Sequence, residues 1–235
     1  MTSMEEYRQH FPIFEEKIYI NSCSYGALSY EVENAFLSYL KDRHEKGADW
    51  LAWCDRLERV RALFAKLIGA KSDEIAVTTS ASASLSAVAS SLDFSGTRTK
   101  IITTDLAFPT EAQAWHALKK NGAEVVHVKE KDGMIDLDDL ATLVDEKTLL
   151  VSIPLVCYRN GALADVVAIR KIARKAGALV LVDAYQGVGA VPIDVKDWDV
   201  DFIVGGSLKY LLSTAGVGFL YVRESLIKTS LPTQT

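Results

Sequence analysis

Val200-Asp201-Phe202-Ile203-Val204-Gly205-Gly206-Ser207-Leu208-Lys209-Tyr210 runs from an apolar stretch through two glycines and a serine to a lysine. Upstream, Leu179-Val180-Leu181-Val182-Asp183 is a second apolar stretch, with an acid at its end. Continuous apolar runs of this length read as strands covered on both faces. One strand tip therefore carries a carboxylate and the next carries an amine. An amine among small residues can form a Schiff base with an aldehyde cofactor, and a carboxylate nearby can hold a ring nitrogen protonated.

Outward from these two strands, short β-rich runs alternate with amphipathic stretches. Strands are expected over 74–79, 100–104, 123–128, 148–153, 178–183, 200–204 and 217–222. Helices are expected over 31–46, 55–68, 82–92, 110–120, 136–145 and 163–175. In the first helix Val32, Ala35, Phe36 and Leu40 share one face. Gly69, Asn121-Gly122 and Gly177 are stop signals, and Asp136 is a cap. The pattern defines an α/β fold with a mainly parallel seven-stranded sheet and helices on both faces. The connection 209–216 is too short for a helical crossover, so the last strand is expected antiparallel to its predecessor. Residues 1–30 read as an N-terminal arm and 31–235 as one large domain. Ligands in such sheets sit off the carboxyl ends of the strands. Lys209, Asp183, Phe108 and the turn after the strand at 74–79 all fall at that edge.

The bulk composition narrows the choices. The chain has 235 residues, 49% apolar and 24% charged, with net charge −5 and the two signs mixed along its length. That balance carries no footprint for nucleic acid. No segment is apolar and long enough for a membrane span, and the N-terminus lacks a signal core. Cys23, Cys54 and Cys157 form no C-x-x-C pair, and three free thiols suit a reducing compartment, so the expected location is cytoplasmic. His10, His44, His116 and His127 share no ligand spacing, which argues against a metal site. Gly187-Val188-Gly189 lacks the third glycine and the helix of a dinucleotide-binding turn.

Five local motifs stand in order: Asn21-Ser22-Cys23-Ser24-Tyr25-Gly26; Thr78 to Ser82; Phe108-Pro109-Thr110-Glu111; Asp183-Ala184-Tyr185-Gln186; and Gly206-Ser207-Leu208-Lys209 followed by Gly216-Val217-Gly218-Phe219. Together they make the chain resemble the large domain of fold-type I pyridoxal phosphate enzymes. Within these it is similar to the class V aminotransferase group, which includes cysteine desulfurases, kynureninases and isopenicillin N epimerase-like proteins.

The resemblance implies pyridoxal 5'-phosphate as cofactor, with Lys209 as the Schiff-base lysine and proton carrier. It implies Asp183 on the pyridine nitrogen and Gln186 near the ring hydroxyl. Ala81 and Ser82 would hold the phosphate at a helix start, where backbone amides and the helix dipole favour anions; Ser207 would add a hydroxyl. Phe108 would stack on the ring as a platform, and Phe-Pro-Thr followed by an acid looks kynureninase-like. Each residue also has a plainer reading. Asp183 and Ser82 suit caps or turns, Phe108 suits a core, Ser207 suits a tight backbone turn, and Glu111, which the resemblance would also let touch the site, suits a first helical turn. Leu208 and Cys157 depart from the group, whose members often carry His, Gln, Arg or Tyr before the lysine and often Asn at the second position; Cys157 reads as a packed thiol.

The resemblance implies a smaller C-terminal domain with an arginine for the substrate carboxylate; it is expected to be absent from this chain, read either as a fragment of a longer one or as a shortened protein. The expected activity is that of an enzyme acting on an amino acid, by transamination or by lyase chemistry of the kynureninase or desulfurase sort, as a homodimer. A module that keeps the fold without turnover is the alternative, and an unrelated nucleotide-binding α/β enzyme is a third.

Overall fold

The sheet and its helices are seen in a computed structural model that describes residues 4–233; the first three and last two residues of the expected segments lie outside this range. In chain order the elements are α1 (Met4–Arg8), α2 (Ile13–Glu16), α3 (Tyr30–Lys46), α4 (Trp50–Ile68), β1 (Ile75–Thr78), α5 (Ala81–Ser91), β2 (Lys100–Thr104), α6 (Pro109–Ala117), β3 (Glu124–Val128), β4 (Glu130–Lys131), β5 (Met134–Ile135), α7 (Leu137–Leu143), β6 (Thr148–Pro154), α8 (Val166–Lys175), β7 (Leu179–Asp183), α9 (Val195–Trp198), β8 (Phe202–Gly206) and β9 (Gly218–Val222). Seven strands form one sheet in the order β1-β9-β8-β7-β6-β2-β3. β9 lies antiparallel between β8 and β1. The pairs from β8 through to β3 are parallel.

Both faces of this sheet are covered, and the strands show why their sequences do not alternate. Side chains on successive residues point to opposite faces. Val180 and Val182 accordingly enter a core with Phe64, Ile68 and Ile169, from α4 and α8. Leu181 enters the opposite core, with Leu85 and Val88 of α5 and Trp115 of α6. All three β7 residues are fully buried. On the first face the Phe64 and Phe219 rings stack at 4.6 Å.

Element limits differ from expectation where capping decides them. α4 starts at Trp50 rather than at residue 55, because the Asp49 carboxylate accepts the Ala52 amide at 3.2 Å. α8 starts at Val166 rather than at residue 163. The preceding chain is held by the Val156–Leu163 bridge, and Asp165 caps the helix through the Ala168 amide. α6 ends at Ala117 and tightens into a 3₁₀ turn that stops at Gly122, where φ is 99°. The hairpin β4–β5 was not expected; its turn is Asp132-Gly133, both at positive φ.

α3 departs most from its sequence reading. No residue of it is buried, and Phe36 and Leu40 on the expected core face are 50% and 52% exposed. Ser29 caps the helix through the Val32 amide, acids fill its first turn and bases its last, so it forms on its own ends and charges. Among the described residues no helix is long and apolar enough to cross a membrane.

Candidate active site

Register brings the acid and the amine together. Asp183, the last residue of β7, pairs with Val204 of β8. The Ala184 amide is tied to the Val204 carbonyl at 2.8 Å. The chain leaving β8 must therefore pass Asp183 on its way to Lys209. Gly205 and Gly206 permit this route: a Cβ on Gly206 would lie 2.4 Å from the Tyr185 ring. Beyond them the Ser207 amide donates to Val217 O, Ser213 N to Ser207 O, and Leu212 N to Lys209 O, which fixes the lysine in a tight turn.

A cavity of about 550 Å³ opens at this edge, and both Lys209 and Asp183 line it. Burial raises the Asp183 pKa against the pull of the Tyr185 amide, which Oδ1 accepts at 2.9 Å, and of the Lys209 charge. Burial lowers the Lys209 pKa, opposed by Asp183 and more weakly by Cys23. The lysine Nζ sits 4.8 Å from the Tyr185 ring centre and 5.9 Å from that of Phe108. Ring faces favour the charged amine, yet desolvation prevails.

The helix start expected to hold an anion also faces the cavity: Ser80, Ala81 and Ser82 are all in its wall. Ser80 caps α5 with its own hydroxyl on the Ala83 amide at 3.0 Å. Helix geometry leaves the Ala81 and Ser82 amides without intrahelical acceptors. Phe108 is in the wall, half exposed, with Tyr158 edge-on at 5.2 Å. Gln186 lines the cavity, but its Nε2 donates to Cys23 O at 3.0 Å and so ties the N-terminal segment over the opening. Ser207 is not brought to the wall; its hydroxyl turns to Val217 O at 3.3 Å.

Among the wall residues, Tyr185 was given no role from sequence, and for Glu111 contact with the site and a place in the first helical turn were both left open. Tyr185 lies within the motif that ends at Gln186, and its ring packs beneath the lysine amine. Glu111 does occupy the first turn of α6, yet it is fully buried and lines the cavity. Cys157 is buried and outside the wall. Two histidines distant in sequence do meet: His116 and His127 share a hydrogen bond of 3.0 Å between their Nε2 atoms. Among the described residues no group of three or more His, Cys, Asp or Glu converges as a metal site would require.

An α/β sheet with a lysine and an acid in one cavity at its carboxyl edge, beside an open helix start, suits a phosphorylated aldehyde cofactor. The Aminotransferase class-V profile matches residues 36–235, and the chain belongs to that family. An uncharacterized aminotransferase of Bacillus subtilis, YcbU, is 40% identical over 228 residues, covering 97% of this chain and 61% of the relative. A kynureninase of Geobacillus thermodenitrificans is 31% identical over 234 residues, covering 94% of this chain and 55% of the relative. The apo structure of a cysteine desulfurase from Thermococcus onnurineus superposes with a TM-score of 0.86 at 27% identity, over 99% of this chain and 60% of that one. The chain thus spans between half and two thirds of the length of these relatives.

Proposed function

We propose that this protein is a pyridoxal phosphate-dependent enzyme acting on an amino acid, with Lys209 as the residue that carries the cofactor. The observation behind this reading is the shared cavity of Lys209 and Asp183 at the strand ends. The residues present fit the group. The amides of Ala81 and Ser82 offer donors for a phosphate, Asp183 an anion for a ring nitrogen, and Phe108 a flat apolar face. When bound, the cofactor supplies an electron sink for a bond broken at the substrate's α-carbon.

The chain's own groups do the rest. Desolvation keeps a larger share of Lys209 neutral than in water, so Nζ can act as nucleophile and then accept and return a proton. Asp183 holds negative charge where ring protonation has to be maintained. The Tyr185 ring, 4.8 Å from the amine, and the Phe108 ring, 5.9 Å from it, give it an aromatic surrounding. The tie from Gln186 to Cys23 keeps the N-terminal segment at the cavity mouth.

An amino acid is the proposed substrate class, and a homodimer the proposed assembly; the exposed apolar residues of α3 support the second. Transamination and side-chain cleavage are separated by product: a keto acid with the amine form of the cofactor for the first, a released side-chain fragment for the second. The test is to add amino acids, screened broadly, to cofactor-loaded full-length protein and follow its visible spectrum. A shift with at least one of them is expected. A spectrum that no amino acid moves contradicts the proposal.

A further inference from the structure

We propose that Asp105 and His127 are positioning residues for Phe108 in the cavity wall, and that a proton shared between His127 and His116 sets how firmly they hold it. What Phe108 holds there rests on the functional reading above; the clamp on it does not. Phe108 is 45% exposed and lies where the turn after β2 becomes α6, so its place depends on that turn. Three residues earlier, Asp105 is tied twice. Its Oδ1 lies 2.6 Å from His127 Nδ1 of β3, and its carbonyl accepts from Arg159 Nη2 at 2.7 Å. Arg159 follows Tyr158, whose ring meets Phe108 edge-on. β2 lies between β6 and β3 in the sheet, so the two ties reach the turn from either side. Leu106 and Ala107 of the same turn are buried, which keeps it folded when one tie is removed.

Ring geometry fixes where the protons go. A carboxylate only accepts, so His127 Nδ1 carries a hydrogen. Nε2 of neutral His127 is then an acceptor, and the hydrogen between it and His116 Nε2, 3.0 Å away, belongs to His116. The ring centres are 5.2 Å apart and the planes differ by only 21°, so the two nitrogens face each other nearly end to end. One extra proton on the pair still leaves one hydrogen between them. A second leaves two facing N–H groups of like charge and parts the rings. The pair therefore takes up its protons in separate steps. The charged groups that bear on it are Asp105 beside His127, Lys119 three residues on from His116, and Arg159 at the Asp105 carbonyl. Burial, Lys119 and His127 lower the His116 pKa, so the first proton goes to His127, next to the carboxylate. His116 then accepts at Nε2 and carries its own hydrogen on Nδ1. A charged ring donates to a carboxylate more strongly than a neutral one. The clamp tightens as pH falls through the first step and slackens as pH rises.

The experiment has two arms, both in the full-length protein. Without cofactor, NMR of ring-labelled histidine and phenylalanine is followed across about pH 5 to 8. The two histidines are expected to move in separate steps, His127 first, with the Phe108 ring signals following that first step. In His127→Gln the Phe108 signals should lose it. Coincident histidine steps, or Phe108 signals that ignore the first one, would overturn the proposal. With pyridoxal phosphate bound, its release is timed by visible absorbance. Asp105→Asn and His127→Gln should release it about two to five times faster than wild type at the acid end of the range, the reach of a part-exposed ion pair. The ratio should shrink toward the alkaline end and in high salt. Adding Asp105→Asn to Phe108→Ala should change nothing further. A ratio indifferent to pH, or an Asp105→Asn effect undiminished in Phe108→Ala, marks a merely structural role and overturns the proposal. A protein that binds no cofactor contradicts the functional reading, while the clamp is still decided by the first arm.

Discussion

At Glu111 the folded state holds a proton that the unfolded chain releases, and the sign of its effect on stability follows. Burial pushes the carboxyl up to about 7 in the folded chain, from an ordinary 4.5. The contribution is complete below the lower value and is lost as pH rises through the higher one. It amounts to about 3 kcal/mol, at about 1.4 kcal/mol for each unit. Urea midpoints should therefore fall between pH 5 and pH 8 in the wild type by more than in Glu111→Gln; equal slopes would place the proton elsewhere. That Lys209, Asp183 and Phe108 share the carboxyl edge of the sheet, where the cavity opens, was legible in the sequence, because the order of strands, turns and helix starts fixes which residues emerge there. The contacts of Gln186 and Ser207 were not legible, because both depend on non-local partners, Cys23 O in one case and Val217 O in the other. Glu111 was legible as an acid in a first helical turn or at the site, without a choice between them; its burial is set by Thr103 on β2 nearby and by Ser152 on β6, 41 residues away.

Elements were most legible where packing and caps agree. β2 occupies the expected residues 100–104, and Asp136 caps α7 as expected. The misplaced start of α4 had a signal, Asp49, in the residue before Trp50. The hairpin β4–β5 had one too, an Asp-Gly pair of the kind two-residue turns require. Close approach gives a prediction at this scale. Gly206→Ala would bring its Cβ against both the Tyr185 ring and, at 3.1 Å, the Val217 carbonyl. The expected cost is about 1–3 kcal/mol, with weakened cofactor retention because Tyr185 lies under Lys209. Denaturation and cofactor release, measured on one sample, check both; an unperturbed variant would show that the loop can yield. Ser80→Ala removes the cap of α5 and should cost about 1 kcal/mol, measurable as a lower urea midpoint.

Across the whole molecule the two ends of the sheet do different work. The carboxyl edge holds the cavity. The opposite edge holds a charge cluster in which buried Asp201 accepts the Val180 amide at 2.8 Å, Arg170 Nη1 at 3.0 Å and Arg223 Nε at 2.9 Å. Asp201→Ala removes one of two carboxylates from Arg170 and Arg223, which both keep Asp199, and leaves the buried Val180 amide without its acceptor, so it should cost about 1–3 kcal/mol. Cofactor absorbance per folded molecule should stay the same, since no residue of the cluster lines the cavity; a loss of absorbance in folded protein would contradict this division. The α/β class and the antiparallel last strand followed from alternation and from a connection too short to cross over. The place of β9 between β8 and β1 did not, because pairing of the first and last strands is a long-range choice. Nor did the exposure of α3, whose periodicity marks an apolar face without saying what meets it.

The central claim is that one lysine, Lys209, carries the cofactor beside Asp183. Borohydride reduction of the full-length protein loaded with pyridoxal phosphate, followed by peptide mass mapping, tests it most directly. The account predicts the reduced adduct on the peptide containing Lys209 and none there in Lys209→Ala. An adduct confined to another lysine, or no adduct in a protein that retains its fold, would contradict it.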